Sequence, residues 1–185
     1  MRMCSFCSIF ACFLYTVEIK NFHTNMKECN LTTKMRIYKW EELTDEQRAL
    51  IQVAKEQTSH SYCPYSHFHV GAAARLANGI VIPGCNQENA AYPSGLCAER
   101  SALFAAGAQH PDQPVEQLAI ACFTDGHFTK QPGAPCGACR QVMTETEHRY
   151  GNKMQVLLYG DEETYVFESA SELLPLIFVS ENLKG

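Results

Sequence analysis

Basic residues do not predominate in this chain of 185 residues: 15 lysines and arginines face 20 aspartates and glutamates, for a formal net charge of −5. That balance lacks the basic footprint of a nucleic-acid-binding protein. Charge is sparse altogether, at 19%, and tryptophan occurs once. No apolar run reaches the ~18 residues needed to span a bilayer, which excludes a polytopic membrane protein. Between residues 35 and 185 there is no second CxxC and no matching histidine pair, so a zinc ribbon has too few ligands. What is present is a chain of one-domain length, 46% hydrophobic, and therefore able to bury a core without disulfide staples.

Cysteine is the abundant residue, with ten at positions 4, 7, 12, 29, 63, 85, 97, 122, 136 and 139. They are too dilute and too uneven for a disulfide scaffold. Four fall in the first 30 residues. Residues 3–17 are apolar and aromatic behind Arg2, the length of a signal-peptide core, but Thr16, Glu18 and Lys20 leave no small-residue cleavage site. The expectation is that 1–34 is an extension or a start-site artefact, with translation from Met26 or Met35, poorly ordered or peripherally packed, and without chemistry. The functional domain is then 35–185. Of the six remaining cysteines, the tight pair is Cys136-Gly137-Ala138-Cys139. Alone it is compatible with redox chemistry, structural zinc or half of a catalytic zinc site.

The domain reads as α/β. Thr44 and Gln47 form a capping box with Leu43 before it, and Ala49, Leu50, Val53 and Ala54 follow helical spacing, so a helix is expected over 44–59. Apolar runs at 68–76 and 80–85 flank Asn78-Gly79, a strong hairpin signal. An alanine-rich helix is expected over 98–108, a buried strand over 118–124, a loop over 126–135 and a second helix over 137–149 closed by Gly151. Strands at 155–159 and 164–168 and a last short helix at 171–178 follow. This order implies one sheet with helices on its faces.

Two helix starts share one pattern. Cys97-Ala98-Glu99 opens the alanine-rich helix, and Pro135-Cys136-Gly137-Ala138-Cys139 opens the next. Free N–H groups and the helix dipole favour thiolate at such positions. Cys136 and Cys139, three apart, share a face. Together with Cys97 they present three soft thiolates, which select zinc and leave one coordination place for water. Zinc plus three thiolates carries −1, so a positive group must compensate. Arg100 is expected to hydrogen-bond the ligand sulfurs. Glu99, beside the ligands but not one of them, is placed to move protons. The sequence Cys97-x-Glu99 followed by Pro135-Cys136-x-x-Cys139 matches the three-cysteine form of the zinc deaminase signature.

Further segments extend that match: Tyr62-Cys63-Pro64-Tyr65-Ser66-His67-Phe68, Val70-Gly71-Ala72-Ala73, Gly84-Cys85-Asn86-Gln87-Glu88-Asn89-Ala90, Tyr92-Pro93, Cys97-Ala98-Glu99-Arg100 and Cys139-Arg140-Gln141. With these in order, the chain from about residue 39 onward resembles the cytidine deaminases. The resemblance implies a three-layer α/β/α sandwich with a mixed five-stranded sheet and one Zn2+ per chain. It implies hydrolysis of cytidine and deoxycytidine to the uridines in pyrimidine salvage. It further implies a cytoplasmic homotetramer with shared active sites, a nucleoside substrate, and neither nucleic acid nor membrane as partner. Glu99 would be catalytic. Asn86 and Glu88 would bind the ribose hydroxyl, Phe68 would pack on the pyrimidine, and the Ala98 carbonyl would read its amine edge. Tyr92 and Phe178 would reach a neighbouring subunit's site. Cys63, Cys85 and Cys122 read as small buried residues. The sequence departs from the family at His69, where proline is usual, and at Phe178-Val179-Ser180, where Phe-Gly-Pro is usual.

Overall fold

The structure is a computed structural model and describes residues 27–184. The expectation for residues 1–34 falls mostly outside them. By contacts the chain divides after Asn30, and 27–30 carry no regular structure. Farther along, the Thr33 hydroxyl donates to the Glu172 carbonyl at 2.6 Å, and the Lys34 N–H to the Glu172 carboxylate at 3.0 Å.

The elements are β1 (Arg36–Tyr38), α1 (Asp45–Gln57), β2 (His69–Leu76), β3 (Val81–Cys85), α2 (Ala98–Gln109), β4 (Val115–Thr124), β5 (His127–Phe128), α3 (Gly137–Tyr150), β6 (Gln155–Tyr159) and β7 (Thr164–Phe167). They form a seven-stranded mixed sheet in the order β1-β7-β6-β4-β2-β3, with β5 pairing β4. Only β4 and β6 run parallel, joined by the α3 crossover. The expected five strands are therefore corrected to seven. β1 is three residues pairing the edge of β7, too short to show alternation. β5 lies inside the stretch read as a loop and is made by a two-residue turn at Asp125-Gly126, φ 51° and 82°. Both signs are those a hairpin turn of this length requires.

Alternation assigns the two faces of the sheet. Ala72, Ala74, Leu76, Leu118, Ile120, Val156 and Leu158 face Ala98, Ala102 and Ala106 of α2 and Cys139 and Met143 of α3. Ala73, Ala119, Ala121 and Leu157 face Leu50, Ile51 and Ala54 of α1. The result is the expected three-layer sandwich. The capping box forms as read, Thr44 Oγ1 accepting from the Gln47 N–H at 3.2 Å and Gln47 Oε1 from the Thr44 N–H at 3.0 Å. The helix ends at Gln57 and tightens into a 3-10 turn, Thr58–His60. At Asn78-Gly79 the hairpin closes with Gly79 at φ 83°. The expected helix at 171–178 does not form. A 3-10 turn, Ala170–Leu173, overlaps its start, and a second, Ser180–Leu183, follows beyond it. Pro175 lacks an N–H and pushes Leu174 out of helical geometry.

Candidate active site

Cys97 is the N-cap of α2 and Cys136 the N-cap of α3, and neither side chain is spent on capping. Cys139 lies in the first turn of α3 and is buried. The two helix starts meet because α2 lies unusually close to β3. A Cβ on Gly84 would stand 2.5 Å from the Ala102 nitrogen and 2.7 Å from the Ala98 carbonyl, so only glycine permits that approach. Gln87 and Leu96 exchange backbone hydrogen bonds at 2.9 Å, and Tyr62 bonds to Asn86 and Glu88 at 3.0 and 2.7 Å. Three loop segments are thereby stitched into one frame around Cys97.

The sulfurs of Cys97 and Cys136 are 3.9 Å apart, and those of Cys136 and Cys139 3.5 Å. All three lie within 4.8 Å of one another, the one such metal-ligating group among the described residues. A tetrahedral zinc with bonds of about 2.3 Å spaces its sulfur ligands about 3.8 Å apart. Spacing and donor softness both fit that ion. Arg100 Nη2 donates to the Cys97 sulfur at 3.5 Å. The Cys97 thiol is lowered to about 5, first by the hydrogen bond from Cys139 and then by Arg100 and Cys136. As the donor in that pair, and buried, Cys139 is pushed up.

Beside the thiols opens a cavity of about 740 Å³, within the usual range for a small-molecule site. Its lining includes Phe68, Asn86, Glu88, Tyr92, Ala98 and Glu99, together with Cys97, Arg100 and Cys136. Glu99 is 5% exposed. Its carboxyl is raised above the ordinary range, chiefly by burial and also by the negative charge of Cys97. The Glu88 carboxyl is lowered by the Ser66 hydroxyl and by the N–H groups of Tyr65 and Ser66. The cavity therefore holds one carboxyl that favours a proton and one that resists it, set apart by their surroundings.

Phe178 lies away from this cavity, 58% exposed, its carbonyl accepting from Gln141 Nε2 at 2.7 Å. Cys122 and Gly133 also line the cavity, in positions no motif marks. Burial, with the charge of Glu99, pushes the Cys122 thiol up to about 12, which makes it an inert wall. Cys63 is buried as expected, whereas Cys85 is half-buried. The largest omission from the sequence reading is Glu147. Its buried carboxylate accepts from the N–H groups of Met154, Ala170 and Ser171 and from the hydroxyls of Ser169 and Ser171. No spacing rule reveals a partner set drawn from across the chain.

No helix among the described residues is long and apolar enough to cross a membrane. The family model of the cytidine and deoxycytidylate deaminase zinc-binding region matches residues 44–151. A cytidine deaminase of Halalkalibacterium halodurans is 41% identical over 75% of this chain and 98% of its own length. One from Sporosarcina psychrophila is 40% identical over 72% of this chain and 92% of its length. The crystal structure of cytidine deaminase from Burkholderia pseudomallei superposes with a TM-score of 0.61 at 42% identity, covering 74% of this chain and all of that one. With its paired helix starts, its three clustered thiols and these likenesses, the chain belongs to the cytidine and deoxycytidylate deaminase family.

Proposed function

We propose that this protein hydrolyses cytidine and deoxycytidine to uridine and deoxyuridine with release of ammonia, using one zinc ion held by Cys97, Cys136 and Cys139. The observation that carries the reading is the convergence of three thiols and the buried Glu99 on one nucleoside-sized cavity. Zinc, when bound, supplies a Lewis acid that makes water a nucleophile at neutral pH. The chain's own groups do the rest. Glu99 accepts a proton from the attacking water and delivers it to the pyrimidine N3 while the water oxygen bonds to C4. It then takes the proton remaining on that oxygen and hands it to the departing amine as the C4–N bond breaks. Water enters, ammonia leaves, and Glu99 ends as it began. Burial favours that role, since a carboxyl with a raised affinity for protons holds one between transfers.

Phe68 packs on the pyrimidine, the Ala98 carbonyl receives its amine, and Asn86 and Glu88 take the sugar hydroxyl. A carboxylate there repels a phosphate, which favours a free nucleoside over a nucleotide or polynucleotide. Arg100 offsets the thiolate charge. We take the enzyme to be a homotetramer in which Tyr92 and Phe178 reach neighbouring sites. Phe178, 58% exposed and outside this chain's own cavity, suits that role, and Tyr92, 78% exposed, stands at the cavity's rim where a neighbouring chain could meet it. Residues 35–185 are taken as the catalytic domain and 1–34 as an extension. The seven cysteines among the described residues are all free, which suits a reduced cytoplasm and a role in pyrimidine salvage.

The test is the loss of cytidine absorbance on adding purified protein, with metal content measured alongside. Turnover that disappears with a chelator and returns with zinc is expected. Turnover of neither nucleoside by zinc-loaded protein overturns the reading.

A further inference from the structure

We propose that Ser66 is a positioning residue that ties the sugar-reading carboxylate of Glu88 to the backbone of Phe68, so that the sugar and ring contacts of the nucleoside are set together. The inference rests on the nucleoside reading above.

Glu88 is already engaged by the turn that precedes Phe68. It accepts from the Tyr65 N–H at 2.9 Å, the Ser66 N–H at 3.2 Å and the Ser66 hydroxyl. A carboxylate offers about four acceptor sites. Three donors leave one, which is what a single sugar hydroxyl needs. The same Ser66 oxygen accepts from the Phe68 N–H at 3.1 Å. Its proton goes to Glu88 and its lone pair to Phe68, so one hydroxyl links the two. Between them His67 sits at φ 54°, a left-handed backbone that non-glycine residues adopt only when the surroundings hold them there.

Beyond Phe68 the strand is clamped from the other side. Asn86 Nδ2 donates to the Phe68 carbonyl at 2.9 Å, and Asn86 Oδ1 accepts from the Val70 N–H at 2.9 Å. The aromatic wall of the cavity is thus hung from the two residues assigned to the sugar. Asn86 acts after the ring and Ser66, through Glu88, before it. A sugar that draws on Glu88 draws on the same carboxylate that fixes the turn. Ser66 is itself exposed, so removing its hydroxyl leaves no core cavity.

The experiment uses the full zinc-loaded chain and steady-state kinetics on cytidine. Ser66→Ala is expected to raise KM about tenfold, the worth of one good hydrogen bond, with kcat within about threefold and the thermal midpoint unchanged. Ser66→Thr, which keeps the hydroxyl, restores KM. Phe68→Leu raises KM much less in the Ser66→Ala background than alone, because the ring has already lost its fixed position. A KM within twofold of the parent overturns the proposal, as does additivity of the two substitutions. A fall in kcat equal to the fall in kcat/KM also overturns it. If Ser66→Ala does not fold, Ser66→Thr is compared with Ser66→Cys, whose thiol is a weaker donor and acceptor, and equal KM values for these two overturn it. Absence of cytidine turnover in the parent protein rejects the functional reading itself, and with it this refinement. Turnover with an unmoved KM rejects the refinement alone.

Discussion

Glu99 occupies the first turn of α2, where the backbone N–H groups are free, yet it is 5% exposed and faces the cavity. Burial there raises its proton affinity, and hydrolysis needs a group that both takes and gives a proton. Glu99→Gln keeps shape and polarity but removes that ability. Turnover is expected to fall by about 10²–10⁴ with zinc content unchanged by metal analysis. Arg100 tests charge compensation. With its 3.5 Å contact to the Cys97 sulfur removed, Arg100→Ala should weaken zinc binding by about 10–100-fold, measured by competition with a chromophoric chelator. Unchanged affinity would show that Arg100 merely packs beside the site. The roles proposed for these two residues were legible because covalent spacing alone puts them beside Cys97. Phe68, Asn86 and Glu88 were legible only through their resemblance, since an aromatic, an amide and a carboxylate at strand ends are common without a ligand.

At the scale of the element, the site depends on where two helices begin. Gly84 allows α2 to lie against β3, and a Cβ there meets the α2 backbone at 2.5 Å. Gly84→Ala must push the helix away and with it Cys97. The expected cost is about 2 kcal/mol in denaturant unfolding, accompanied by reduced zinc content, which a purely global destabilisation would not produce in the folded protein. The end of α3 is tied by Glu147, whose carboxylate takes the backbone N–H of Met154, just before β6, and those of Ala170 and Ser171 in the 3-10 turn after β7. Glu147→Ala leaves the Met154 and Ala170 donors buried without an acceptor. A loss of about 3 kcal/mol is expected from urea unfolding, with zinc still bound if the helix start is independent of its end. Helix positions were well read, because capping residues and alanine-rich periodicity are local. The rest was not: Pro175 keeps the expected helix at 171–178 from forming, and β5 is two residues, so the Asp125-Gly126 turn had a strand pattern on one side only.

For the whole molecule, Cys97 comes from α2 while Cys136 and Cys139 come from α3, so a bound zinc cross-links two helices on one face of the sheet. Chelation should lower the thermal midpoint, and zinc at 100 times its dissociation constant should restore about 2.7 kcal/mol, read by scans with chelator and after zinc is returned. An unchanged midpoint would mean the thiol cluster holds no stabilising metal. The sequence by itself determined the α/β class, the helix that opens the domain, and which thiols and carboxyl stand at the two helix starts. The capping box, the pairing of Cys97 with Glu99 and that of Cys136 with Cys139 rest on spacings within a turn of chain, where covalent geometry fixes what stands side by side, whereas the meeting of Cys97 with Cys136, 39 positions on, is tertiary. Tertiary structure decided the seven-stranded sheet, the approach of α2 allowed by Gly84, the Glu147 hub and the suspension of Phe68 between Ser66 and Asn86. Each of these joins residues many positions apart, and such partners are chosen by packing and hydrogen-bond satisfaction across the fold, which no local pattern encodes.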